Sequence, residues 1–100
     1  MTETTSVPSG WPLFPLGHIV ATPGALVALE RVGVLVEALL DRHGRGEWGD
    51  LGEDDRQTNV QALTSGERLL SAYVLPDATR VWIITEADRS ATTLLLPTEY

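Results

Sequence analysis

Residues 80–100 read RVWIITEADRSATTLLLPTEY, Arg80 to Tyr100, and the fold turns on how this stretch is read. Two runs, Val81–Glu86 and Ala91–Leu96, are rich in Val, Ile, Trp, Thr and Leu. Such side chains suit a pleated, half-buried surface, so both runs are expected strands. The turn between them, Ala87-Asp88-Arg89-Ser90, carries Asp and Ser side chains that can bond nearby backbone. Working backwards, Pro76-Asp77-Ala78-Thr79 is a turn and Arg68–Leu75 a third strand, with Leu70, Ala72 and Val74 on one face. The C-terminal third is therefore an expected three-stranded antiparallel meander.

The remainder must cover or extend that meander. Residues 1–10, MTETTSVPSG, read as a disordered tail, and residues 11–100 as a single domain. Trp11–Leu16, WPLFPL, is apolar but held extended by Pro12 and Pro15, so it is expected to lie across the core. A short strand at Gly17–Ala21 follows, at an edge if it pairs. Thr22-Pro23 is a helix start, Thr as N-cap and Pro in the first turn. The apolar pattern then runs through Ala25, Leu29 and Val32 to Leu39 and Leu40. Gly33 breaks it into two helices or kinks one long one. Its apolar character on nearly all sides makes this the expected buried layer on the sheet.

Gly44–Gly49 is a glycine-rich loop. Asp50-Leu51-Gly52-Glu53 has the form of a capping box for a surface helix from Leu51 to Thr64, ended by Gly66. Leu51, Val60, Ala62 and Leu63 form its narrow apolar stripe. The fold class is thus α+β: a short N-terminal strand, two or three helices, then an antiparallel meander with helices on one face.

Composition narrows function. The net charge is −7, with seven arginines and no lysine. That argues against binding nucleic acid, which needs clustered cations. There is no cysteine, hence no thiolate nucleophile or metal ligand. No apolar run spans a bilayer and the N-terminus lacks a signal-peptide pattern, so the expected setting is cytoplasmic, away from membranes. The acids Glu47, Asp50, Glu53, Asp54 and Asp55 lack calcium-loop spacing and read as a charged helix start. His18 and His43 form no zinc motif, and His43 reads as a half-buried helix end whose charged form the helix dipole favours. The serines lack a nucleophile-elbow context, and GRGEWG lacks the Lys-Ser/Thr of a phosphate loop. No catalytic constellation, cofactor site or metal site is legible.

The aromatics remain. Trp48 sits in the glycine-rich loop and Trp82 on a central strand. If helices cover the Val81/Ile83 face, Trp82 and Ile84 face the other way. With Leu69, Tyr73 and Leu95 they would form a patch open to a partner, unless WPLFPL folds over them. The candidate interaction residues are Trp48, Asp50, Trp82, Glu86, Asp88 and Arg89. The expected partner is another protein, or a second copy in a homodimer.

FPLGHIVATPGALVALE (14–30), RHGRGEWGDL (42–51), LSAY (70–73) and VWIITEADRSATTLLLPTEY (81–100) together resemble a family of small uncharacterised bacterial proteins. These are carried on plasmids and integrative elements and often labelled "plasmid-related protein". The label of type I restriction methylase subunit is sometimes attached to them. No Gly-rich cofactor loop or NPPY-like motif matches that label here. The resemblance implies a mobile-element origin and brings no established activity with it. It also implies a break after Gly33, although the family's polar residue or Pro is replaced by Val34. The order of strand, two helices and three antiparallel strands is more loosely similar to the RelE/ParE toxin superfamily. That likeness implies action on translation, with Arg68, Arg80, Arg89, His43 and Tyr100 as the matching residue types. The acidic charge departs from that pattern. A third alternative is an acidic anti-defence protein that mimics nucleic acid, but the acids cluster at Glu47–Asp55 and Glu86–Asp88 instead of spreading like phosphates.

Overall fold

The computed structural model describes residues 12–100. The expected tail at 1–10, and Trp11, lie outside the described residues. The described residues adopt an α+β fold: β1 (His18–Ala21), α1 (Pro23–Val32), α2 (Val36–Gly44), α3 (Glu53–Ser65), β2 (Leu69–Val74), β3 (Arg80–Thr85) and β4 (Ala91–Leu95), then a 3-10 turn at Pro97–Glu99. The strands form one sheet in the order β1-β4-β3-β2.

The meander is present, but it is three quarters of a mixed sheet. β1 joins its edge parallel to β4, pairing His18 with Ala91 and Ala21 with Leu94. A parallel neighbour needs a crossover, and α1 through β3 supply it. Gly17 lets β1 enter here, because its φ is +68° and a side chain would run into the Ser90 carbonyl of the β3–β4 turn.

The break at Gly33 is real and its chemistry is local. Gly33 is left-handed, its N–H bonds the Glu30 carbonyl, and the Val34 N–H bonds the Leu29 carbonyl at 3.1 Å. These two bonds cap α1 as a Schellman motif. At the other end the Thr22 hydroxyl accepts from the Ala25 N–H at 3.1 Å, with Pro23 in the first turn as expected. The segment is not buried all round. Ala25, Ala28, Leu29 and Leu39 pack with Tyr73, Val81, Ile83 and Leu94, while Leu26, Val27 and Leu35 remain exposed.

The start of α3 also differs from the sequence expectation. Gly52 is the N-cap and the helix begins at Glu53, with Glu53, Asp54 and Asp55 in its first turn. Asp50 does not cap. Its N–H donates to the Ala72 carbonyl instead, and the Trp48 carbonyl accepts from the Ala72 N–H at 3.0 Å. Residues 48–50 thus run as a short parallel rung on β2, which draws Asp50 away from the helix end. The buried side of α3 is Asn59 and Ala62; Val60 faces solvent. Asn59 donates to the Leu70 carbonyl at 2.6 Å and accepts from the Leu70 N–H at 3.1 Å. Its amide imitates one rung of a neighbouring strand. The outer edge of β2 is therefore closed by a side chain and a loop, which removes an aggregation-prone edge.

Candidate functional site

Strand parity divides the sheet. Leu69, Ser71, Tyr73, Val81, Ile83, Thr85, Thr92 and Leu94 face the helices and are all buried. Leu70, Ala72, Val74, Arg80, Trp82, Ile84, Thr93 and Leu95 share the outer face. Contrary to the expectation from sequence, the Leu69 and Tyr73 side chains do not lie beside Trp82; Leu70 and Ala72 take those places. Trp11 lies outside the described residues, and the described part of WPLFPL runs elsewhere than Trp82. Phe14 packs on the helical side with Trp48, Ala62 and Leu69, and the Leu13 N–H bonds the Gly44 carbonyl at 2.8 Å.

Among the described residues, the C-terminus reaches the outer face. The Tyr100 ring meets Trp82 edge-on, with centroids 5.7 Å apart. The Arg68 guanidinium donates to the Tyr100 hydroxyl at 3.0 Å and pairs with Glu86 at 3.3 Å. At the opposite end of β3, Arg80 pairs with Asp50 at 3.0 Å. A groove of about 210 Å³ runs between Arg68, Leu69, Leu70, Trp82, Ile84 and Tyr100. Ala72, Ile84 and Leu95 at the centre of the face are buried, Leu70 and Trp82 are half-buried, and the two ion pairs flank them.

Of the six candidate interaction residues, Asp50, Trp82 and Glu86 meet on this surface. Trp48 does not. It is 4% exposed, stacked on Phe14 with centroids 6.3 Å apart and edge-on to His43. A Trp in a glycine-rich loop looks like a surface residue in one dimension, but the rung on β2 carries it inward. Asp88 is confined to its turn, where the Ser90 hydroxyl first, and then the Ser90 N–H at 3.0 Å, hold its carboxyl below the ordinary range. Arg89 is a clasp rather than a charge-paired turn residue. Its guanidinium donates to the carbonyls of Glu67 at 2.7 Å, Ala62 at 3.0 Å and Glu86 at 3.1 Å, tying the hairpin to the end of α3. Sequence reasoning missed Leu70 and the Asp50–Arg80 pair, because both depend on register.

No family model matches the chain, and no curated protein or solved structure matches it.

The other polar concentration is internal. His43 is completely buried, contrary to the half-buried, charged helix end expected from sequence. Nδ1 lies 2.5 Å from Ser71 Oγ and Nε2 lies 2.9 Å from Thr85 Oγ1. Thr85 in turn bonds Thr92 at 2.8 Å, and Thr92 donates to the Leu16 carbonyl at 2.6 Å. Burial lowers the His43 pKa to about 4, so desolvation outweighs the helix dipole. Ser71 and His43 have the spacing of a nucleophile and its base. Both are sealed, however, so an outside substrate has no approach to either in this packing. Among the described residues, no three acids and histidines converge as a metal-ligand set, and no helix is long and apolar enough to cross a membrane.

Proposed function

We propose that this chain is a non-enzymatic protein-interaction module of mobile-element origin, and that it takes another protein on the outer face of its sheet around Trp82. The observation that carries this reading is the asymmetry of the sheet. Among the described residues, the helices pack on one face, while a C-terminal turn and Tyr100 meet the other. Aromatic and arginine side chains over an apolar centre are typical anchors of protein interfaces. The two ion pairs form a rim that offers both signs of charge to a partner.

The test is co-purification from a host lysate, with light scattering on the isolated protein. Wild-type protein is expected to retain a partner that Trp82→Ala and Arg68→Ala lose while circular dichroism stays unchanged. A strict monomer that retains nothing, or a partner indifferent to both substitutions, would overturn the reading. A homodimer disrupted by Trp82→Ala would replace the foreign partner with a second copy. The toxin-like alternative has less to build on, since His43 is sealed in the core. Arg68 and Tyr100 remain at the surface. Growth arrest on induction, lost in Arg68→Ala, would favour it instead.

A further inference from the structure

The helical layer carries a second surface, independent of the outer sheet face. Where α1 turns into α2, a groove of about 550 Å³ opens to solvent. Its apolar walls are Leu26, Leu29, Val34, Leu35 and Val36. Two of these are conspicuously solvated: Leu35 is 69% exposed and Leu26 is 47% exposed.

Leu35 occupies the N-cap position of α2 and makes no side-chain capping bond. Leucine is among the poorest residues at an N-cap, where Ser, Thr, Asp or Asn would satisfy a free N–H. A serine here would improve both the cap and the surface. The leucine therefore works against local stability and against solvation together, which is the pattern expected of a side chain kept for contact with something else.

The charged residues on the groove are Glu30 and Glu37, and no cation lines it. Both carboxylates are exposed, and neither has an ion-pair partner among the described residues. The chain's net charge of −7 has the same sign and works against a second copy of this chain at the site. The Schellman bonds at Gly33 form the turn between its two walls.

We propose that this groove docks a segment of another protein that presents bulky aliphatic side chains flanked by arginine or lysine. The aliphatic anchors fill the space beside Leu26 and Leu35, and the flanking cations meet Glu30 and Glu37. Charge supplies orientation and encounter rate, and the apolar contact supplies residence.

The probe is a short synthetic peptide with two leucines flanked by arginines, compared with its glutamate-flanked counterpart. Both are titrated into ¹⁵N-labelled full-length protein. The arginine peptide is expected to shift the amides of Leu26, Glu30 and Val34–Glu37, and the glutamate peptide to leave them unmoved. Glu30→Gln with Glu37→Gln should weaken binding by about 3–10-fold, with a shallower salt dependence. Leu35→Ser separates binding from folding, because it should raise the melting temperature while abolishing the shifts. Equal response to both peptides, or full binding by Leu35→Ser, would overturn the proposal. Shifts confined to the Trp82 face would overturn it too, and would support the sheet-face reading instead. A dimer in light scattering that Leu35→Ser dissolves would overturn it in favour of a second copy.

Discussion

The Nδ1 atom of His43 and the Oγ atom of Ser71 stand 2.5 Å apart in a place solvent does not reach, and the bonds around them settle which one donates. Thr92 gives its proton to the Leu16 carbonyl, so its oxygen accepts from Thr85. Thr85, having donated, accepts from Nε2–H of His43. A neutral imidazole protonated on Nε2 leaves Nδ1 to accept from Ser71. The relay links α2 to three strands and to the segment before β1.

Nitrogen chemical shifts of the His43 ring should therefore report the Nε2–H tautomer near neutral pH. The Nδ1–H tautomer would reverse the whole relay.

Acid should unfold the protein through the same residue. The folded His43 pKa is near 4 and the ordinary value is 6.5, so between them the unfolded chain binds a proton that the folded chain refuses. His43 imposes no penalty above pH 6.5, and stability falls as pH drops from there toward about 4. A shift of this size corresponds to about 3 kcal/mol. Urea midpoints across this window should fall for wild type, and His43→Gln should flatten the profile.

Trp48→Ala and Arg89→Ala should act on stability rather than recognition. Emptying the Trp48 site should cost about 3–5 kcal/mol. Removing the Arg89 guanidinium should cost about 1–2 kcal/mol, since it frees carbonyls at the end of α3. Thermal melts would give both values, and faster amide exchange at Gly66, whose N–H bonds Ala62, would identify the Arg89 effect.

Asn59→Ala should cost about 1–3 kcal/mol, because both polar groups of Leu70 lose their partner. Asn59→Asp should be no rescue, as it keeps the acceptor but sets a carboxylate against the Leu70 carbonyl. Hydrogen exchange at the Leu70 amide reads this directly.

Two glycines three residues apart should behave oppositely. Gly49 has φ +80°, and an added methyl would strike the Ala72 carbonyl and the Tyr73 ring. Gly49→Ala should cost more than the roughly 1–2 kcal/mol of left-handed backbone alone. Gly52 has ordinary φ and open space around it, so Gly52→Ser should gain a few tenths of a kcal/mol as a better cap, about 0.3. Paired melting curves decide this.

Local chemistry was legible in the sequence. Thr22-Pro23 starts α1 and Gly33 ends it, because caps depend on residues within one turn. The alternation around Trp82 marks strands, because the pleat has a period of two whatever the strand pairs with. Tertiary structure decided everything that depends on which neighbour lies across a strand. β1 lies parallel to β4, Asn59 closes the β2 edge, Trp48 turns inward and His43 is stripped of water. None of these has a local signature, since each is set by a contact from a distant part of the chain. Trp82 faces away from the helices by parity alone, but only the packed fold brings Tyr100 and Arg68 to its side.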